Sequence, residues 1–568
     1  MPSFPPLSFR GAVYPNSRIS SKKYDVVLVS GDAYVDHPAF PAAVVCRILE
    51  NQGLSVAVIA QPDWKKDEDF LVWGEPQRFF AVVPGAMDSM VANFTATRMP
   101  RSKDRLSPGG QPGLRPKRAA QVYVQKIKQL FKKVPVVLGG VEASMRRLVH
   151  YDFWEDRLRD PILFDAPADI IVYGMAEAVL PKVVDWLAQA QRISLPQIPQ
   201  TCIRVKHDSW QGKLDKETLI LPGVAECHSS KSAFMEMSLM LDRMIRPGGP
   251  VLIQAHPKGD VISFPPEEKD LQSEIDIMGR LKFNRRSHPL YSQPIPALEP
   301  VQFSIQSHRG CVGACTFCAL SLHQGRVIRS RSKEDIVNEA CSFLHHPDFK
   351  GVIPDIGGPA VNMYGWYCKA GGCSRKICTE GELCPNMVGG LERLWQILEA
   401  VSGITGIRHA FIGSGLRFDL IKERDWQTFE KIIFNHVSGQ LKVAPEHFDK
   451  TALNLMRKGA NADFAEFARR FYQSCARAGR KLFLVPYLIS SFPGCDDSLL
   501  ARKIKELNLV HEQIQEFTPT PGSLATAMYY CETDFSGRPV KVLKKRSERL
   551  QTRRIIHHNK QPGQKRKR

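Results

Sequence analysis

The sequence predicts an α/β protein in two parts: an N-terminal open parallel-sheet domain, then a partial (β/α)6 barrel. Three observations lead there. Apolar runs of strand length recur in both halves of the 568 residues, and they are continuous rather than alternating, the pattern of parallel strands covered on both faces. Helical patterns separate most successive runs, as parallel crossovers require. The chain is also too long for one ordinary domain.

The elements follow in order. YDVVLVS (24–30) is a strand ending at Gly31, PAAVVCRILENQG a helix, and LSVAVIAQP (54–62) the next strand. FFAVVPGAM (79–87), the helical QVYVQKIKQLFKK, VPVVLGGVE (134–142) and ADIIVYGMAEAVLPKVVDWLAQA (168–190) continue the rhythm. Residues 94–118, basic, rich in Gly and Pro and without periodicity, read as a long loop. Its arginines meet either an anionic substrate or solvent. In residues 196–295 a Met-rich helix, SAFMEMSLMLDRMI, and two short extended pieces read as a linking subdomain, the methionines as core packing.

From 301 the rhythm resumes with VQFSIQS (301–307), GVIPDIGG (351–358), HAFIGSGLR (409–417), GQLKVAP (439–445), KLFLVPYLIS (481–490) and HEQIQEFTP (511–519). Helices lie between most of them, with Ser or Asp near several starts as N-caps. Loops after the strand ends should carry the site, as at the top of full barrels. The domains are therefore read as 1–195, 196–295 and 296–537, the last with a Cys-rich insertion at 366–386. Residues 538–568 read as a basic, disordered tail.

The net charge of +20 is concentrated there: residues 538–568 hold thirteen Lys or Arg against Glu548, so +12 belongs to that stretch. A polyanion-binding end and a solvated, solubilising end both fit it. No signal-peptide pattern opens the sequence, and no apolar run approaches about 18 residues. A cytoplasmic protein without a membrane anchor is expected, and there clustered cysteines bind metal or do chemistry more often than they form bridges.

HRGCVGACTFCAL (308–320) puts Cys311, Cys315 and Cys318 on the turn after the first strand of the second array. Gly310 and Gly313 let the backbone fold around a large ligand. Three thiolates can hold three irons of a cubane cluster. Counting donors leaves zinc open, with His308 and His323 nearby. A thioredoxin-like pair would leave Cys311 unexplained, and ordinary core cysteines would not fall three to one loop. WYCKAGGCSRKICTEGELC adds Cys368, Cys373, Cys378 and Cys384 at spacings of four, four and five, a second metal-site candidate for zinc or another iron–sulfur cluster. Disulfides or free thiols are the competing reading.

The C-x3-C-x2-C run after the first strand of a partial barrel resembles the radical S-adenosylmethionine enzymes. DAYVDHP, VLGGVEAS, the Cys motif and DIGGPAVNM together resemble the bacterial YgiQ-type (UPF0313) proteins of that superfamily, over about residues 20 to 540. The resemblance implies a [4Fe–4S] cluster on Cys311, Cys315 and Cys318, with an open iron that chelates the amino and carboxylate groups of S-adenosylmethionine. One electron from a reducing partner such as flavodoxin or ferredoxin then gives methionine and a 5′-deoxyadenosyl radical. It implies cofactor contacts from Phe317, from Gly357 and Gly358, from Ser414 and Arg417, and from Lys442 and Glu446 in LKVAPEH. Pro359 stands where the superfamily often has an acidic residue, so Asp355 or backbone carbonyls would share that work.

A parallel α/β domain ahead of such a barrel resembles the cobalamin-binding arrangement. The usual D-x-H-x-x-G signature is absent, since Asp32, Asp36 and His37 in GDAYVDHP have the wrong spacing, and the reading is against cobalamin. Gly139, Gly140, Glu142, Gly174, Met175 and Glu177 stand at strand ends, where an open sheet offers ligand contacts. The expected function is reductive cleavage of S-adenosylmethionine, starting radical chemistry on an unassigned substrate. RNA methylthiolation is a narrower alternative, without a recognisable RNA-binding barrel. A non-enzymatic, zinc-dependent nucleic-acid binder is the alternative of another class, and it predicts zinc and no turnover.

Overall fold

The computed structural model describes residues 1–13, 23–189, 195–244, 246–267, 272–371, 377–379, 383–459, 462–509 and 514–558. The chain forms two compact units. The first is Met1–Ser304 with Leu322–Gly325 and Thr520–Gly522; the second is Ile305–Ser321, Arg326–Pro519 and Ser523–Arg568.

The first unit is built on one eleven-stranded sheet. Its strands are β1 (Leu7–Phe9), β2 (Ala12–Val13), β3 (Val26–Ser30), β4 (Val56–Ala60), β5 (Phe79–Val83), β6 (Val136–Leu138), β7 (Ile170–Val172), β8 (Thr201–Val205), β9 (Thr218–Leu221), β10 (Val251–His256) and β11 (Gly259–Ser263). Their order across the sheet is β9-β10-β11-β8-β7-β6-β5-β3-β4-β1-β2. The run from β7 to β1 is parallel. Every residue of β3, β4 and β5 is buried, which is what their uninterrupted apolar sequences require. Helix α1 (Pro41–Asn51) packs Ala43, Cys46 and Leu49 into the same core as α2 (Leu180–Ala188) packs Val183 and Leu187.

Residues 196–295 are not a separate link. β8 joins β7 antiparallel, β11 joins β8 antiparallel, and the β9–β10 pair closes that edge, so the segment extends the N-terminal sheet. The two extended pieces form a hairpin with each other, and they join the sheet through β8, which lies far earlier in the sequence. The Met-rich stretch is helix α3 (Lys231–Met244), with Phe234, Met235, Met237 and Leu241 buried, as core packing demands.

The long basic loop is tied down by its arginines. Arg115 is buried between Asp32, at 2.7 Å, and Asp104, at 3.2 Å, and Arg118 pairs with Asp152 and Glu155. Replacing Arg115 with Ala would leave two buried carboxylates without their counter-ion. The expected loss is about 3–5 kcal/mol of stability, read as a lower urea midpoint for the first unit.

Burial, with Arg146 adding to it, drops His150 to about 3, and burial drops His288 to about 4. Both rings stay neutral in the folded chain, while an unfolded histidine takes a proton near pH 6.5. Their contribution is complete above that pH and is lost as pH falls from about 6.5 toward the folded values. By pH 5 the loss should reach about 2 kcal/mol per histidine, measured as a falling urea midpoint between pH 7 and pH 5.

The second unit is the partial barrel. Its strands are β12 (Ile305–Gln306), β13 (Val352–Ile353), β14 (Ile356–Gly357), β15 (His409–Ala410), β16 (Gln440–Glu446), β17 (Phe483–Ser490) and β18 (Ile514–Glu516). Parallel pairs step through the six segments in chain order: β12 with β14, β13 with β15, Leu416 with Val443, β16 with β17, and β17 with β18. No pairing among the described residues joins the last strand to the first, so the barrel is open. Its helices are α4 (Lys333–Phe343), α5 (Glu392–Ser402), α6 (Trp426–His436), α7 (Lys450–Met456), α8 (Phe464–Arg477) and α9 (Asp497–Glu506). Ser332, Asp449, Asp463 and Asp496 accept hydrogen bonds from their first-turn amides, the capping expected from sequence.

The basic end differs from its expected disorder. Residues 546–558 form helix α10 (Arg546–His558), which lays Ile556 beside Leu500 and Ile504 of α9. Arg549 is buried there, paired with Glu516 of β18 and donating to the Phe517 carbonyl. Charge counting missed this because one of the helix's four arginines, Arg549, faces inward while Arg546, Arg553 and Arg554 stay exposed. Residues 559–568, with the KRKR end, lie outside the described residues.

Candidate functional site

The cysteine loop follows β12 and the short strand His308–Arg309. Gly310 turns at φ +81°, where a side chain would run into the Val327 carbonyl. The loop is pinned from the opposite side of the barrel mouth. Thr316 donates its hydroxyl to the Leu455 carbonyl at 2.8 Å and its amide to the Met456 carbonyl, so the end of α7 holds the segment between Cys315 and Cys318. The Thr316 carbonyl in turn accepts from Ala525 N.

Cys311, Cys315 and Cys318 are all half-buried. A Cβ placed on Gly313 would stand 3.3 Å from Cys311 Sγ, 3.6 Å from Cys315 Sγ and 2.4 Å from Arg417 Nη1. Two thiols and a guanidinium therefore share one hollow that only a glycine leaves open. Burial pushes the Cys315 thiol up, and Lys458 and Arg417 pull against it; burial pushes Cys318 up to about 12. Metal ligation reverses such an effect, since a bound metal ion deprotonates a coordinating thiol. Soft sulfur donors on one loop, a bare backbone between them and cations behind fit an iron–sulfur cluster.

Arg417 and Glu446 arrive from β15's extension and the end of β16. Nε and Nη2 of Arg417 are spent on Asp419, with Nε–Oδ distances of 2.9 and 3.2 Å, while Nη1 lies 3.9 Å from Cys315 Sγ. Burial alone would raise Asp419, and Arg417 overrides it to hold that carboxyl below its ordinary value. Glu446, at φ +64°, pairs with Lys458 at 3.3 Å, both buried. Asp419 and Lys458 escaped the sequence reading. Two ordinary charged residues carry no motif, and only the fold brings them under the cysteine loop.

A second group forms at the ends of β14, β15 and β16. Asp355 accepts from Gly413 N at 2.7 Å, Ser414 N at 3.0 Å and Ser414 Oγ at 2.5 Å. Lys442 donates Nζ to the Gly413 carbonyl at 2.8 Å. Burial raises the Asp355 carboxyl, opposed by the Ser414 and Gly413 hydrogen bonds. Gly357 packs so tightly on this cluster that a Cβ would sit 2.2 Å from Ser414 Oγ and 2.6 Å from Asp355 Oδ1. Gly358 lies against the ring of buried His308, whose Nδ1 meets Ser307 Oγ at 2.9 Å. The half-buried Phe317 meets Phe492 edge-on, with centroids 6.3 Å apart. His323 sits in the first unit with Nδ1 on Ser144 Oγ.

The Cys-rich insertion is a short hairpin, Tyr367–Cys368 paired antiparallel with Met387–Val388. Cys384 N donates to the Cys378 carbonyl at 2.8 Å, and no disulfide joins the described cysteines. Cys373 lies outside the described residues. The hairpin covers the catalytic-loop candidate: Thr379 donates to the Gly313 carbonyl, and Cys378, Leu383 and Met387 pack on the patch of Val312, Met363 and Trp366 that also receives Cys311. Among the described residues no three His, Cys, Asp or Glu side chains converge tightly enough for a single metal ion.

In the first unit three of the polar residues singled out from the sequence are engaged within the protein. Glu142 accepts from Ser89 N and Ala120 N, holding two helix starts. Asp36 pairs with Arg47, and His37 accepts from Ala39 N while its Nε2 meets Arg285 and the Gln302 carbonyl.

Residues 16–304 match the family described as Radical SAM N-terminal. The chain is 38% identical to a UPF0313 protein of Methanosarcina mazei, covering 94% of this chain and 92% of that one. A UPF0313 protein of Methanocella arvoryzae is 41% identical, over 94% and 90%. Among solved structures, the radical S-adenosylmethionine methyltransferase TsrM of Kitasatospora setae, with cobalamin and a [4Fe–4S] cluster bound, shares the fold at a TM-score of 0.54. That match is 12% identical and covers 95% of this chain and 90% of TsrM. It overturns the expectation against cobalamin, because the fold is one in which cobalamin is bound. The missing D-x-H-x-x-G signature bears only on a histidine ligand, not on a site made by the loops of the sheet. No described helix is long and apolar enough to cross a membrane.

Proposed function

The chain belongs to the UPF0313 family of the radical S-adenosylmethionine superfamily, and on that premise we propose that Cys311, Cys315 and Cys318 hold a [4Fe–4S] cluster at which S-adenosylmethionine is reductively cleaved. The observation that carries this is the hollow at Gly313, open to two thiols at the carboxyl end of the first barrel strand. The chemistry such a cluster supplies when bound is one-electron reduction of the sulfonium, which starts radical chemistry on a substrate.

The protein's own residues bind and orient. Asp355 fixes the Gly413–Ser414 turn, Lys442 ties the same turn to β16, and Gly357 lets Ser414 and Asp355 pack directly on the end of β14. These groups suit the methionyl and ribose ends of S-adenosylmethionine, and Phe317 offers a ring for the adenine. The hairpin of Cys368, Cys378 and Cys384 shields the cysteine loop. A low-potential one-electron donor, of the flavodoxin or ferredoxin kind, is the partner this chemistry needs.

The test is anaerobic reconstitution with iron and sulfide, followed by measurement of 5′-deoxyadenosine. Reductant-dependent release of 5′-deoxyadenosine supports the proposal. Zinc in place of iron, with salt-sensitive nucleic-acid binding and no cleavage, would establish the zinc-dependent alternative instead.

A second reading has the shared fold behind it: cobalamin at the carboxyl ends of the N-terminal strands, where open parallel sheets receive ligands. Protein mixed with hydroxocobalamin and desalted should then keep about one cobalt per chain. Complete loss of cobalt on desalting would remove this reading.

A further inference from the structure

Resting on the cluster reading above and deepening it, we propose that Arg417 and Lys458 set the reduction potential of the cluster held by the cysteine loop. The contact expected of Arg417 was with the cofactor's ribose or carboxylate. Only part of its fork faces the cysteine loop. Nε and Nη2 are committed to Asp419, and Nη1 projects into the Gly313 hollow, 3.9 Å from Cys315 Sγ. Lys458 follows α7, the same helix whose last carbonyls hold Thr316, so its position is fixed relative to the loop. Each cation carries one carboxylate, Asp419 or Glu446, and all four groups are in the protein interior.

Reduction adds one negative charge to the cluster. In a site poor in water, a fixed cation favours the more negative state, and an N–H aimed at a ligating sulfur does the same. Both effects raise the potential and bring reduction within reach of the donor. Neither residue needs to touch the reacting atoms, so both act through the cluster.

The experiment is an EPR-monitored titration of reconstituted protein with dithionite. Lys458→Met should move the midpoint to lower potential. Glu446→Gln, which leaves the Lys458 charge less compensated, should move it the opposite way. Arg417→Lys, which keeps the charge, should stay nearer the parent than Arg417→Met. Where an Arg417 variant does not fold, the Lys458→Met and Glu446→Gln pair decides the matter. Midpoints equal to the parent's in that pair would overturn the proposal. A parent protein with no reducible [4Fe–4S] signal would instead sink the cluster reading itself, a distinct result.

Discussion

Cys315→Ala is expected to abolish 5′-deoxyadenosine formation and the iron-dependent absorbance together. Cys315 is the middle cysteine of the loop, and its thiol shares the Gly313 hollow with Cys311 and Arg417. Without it, the proposed cluster would have only two thiols of the loop to hold it. The fold should survive, because the loop hangs on Thr316 and α7 rather than on the thiol. Iron and sulfide analysis beside a near-parent urea midpoint separates lost ligation from unfolding. Retained cleavage in this variant would show that the chemistry lies elsewhere.

Gly357→Ala is expected to leave the iron content unchanged and to slow 5′-deoxyadenosine formation by at least about 100-fold, the cost of a misplacement near 1 Å in a reacting complex. The added methyl would meet Ser414 Oγ at 2.2 Å and Asp355 Oδ1 at 2.6 Å. Asp355 Oδ1 is held by the Gly413 and Ser414 amides and Ser414 Oγ by Asp355 Oδ2, so neither can retreat without undoing the cluster. Rates measured at saturating S-adenosylmethionine, with iron quantified on the same sample, decide it. A parent-like rate would remove the β14 end from the cofactor site.

Much of this was legible in the sequence because it is local. The buried strands of the N-terminal sheet are uninterrupted apolar runs, and the three cysteines of the loop fall within eight residues. Asp355, Gly357 and Ser414 sit at or just beyond strand ends and Lys442 lies within β16, so a correct barrel order was enough to bring them together. What was not legible is long-range. The strands after residue 196 were read apart from the sheet because the strand that joins them to it, β8, pairs antiparallel both with β7 and with the much later β11. Arg417 was expected on the cofactor; its commitment to Asp419, two residues on, follows from the 3-10 turn that starts at Phe418. Arg549 in the basic end shows that net charge describes a segment's composition and leaves open which side chain turns inward.

The most direct test of the account is the EPR spectrum of the reduced, reconstituted protein with and without S-adenosylmethionine. In the proposed ligation, three cysteines would leave one iron open to the amino and carboxylate groups of the cofactor. A [4Fe–4S] spectrum that changes on its addition is the predicted result. A cluster spectrum that the cofactor leaves unchanged would contradict the open iron at the Cys311–Cys315–Cys318 loop.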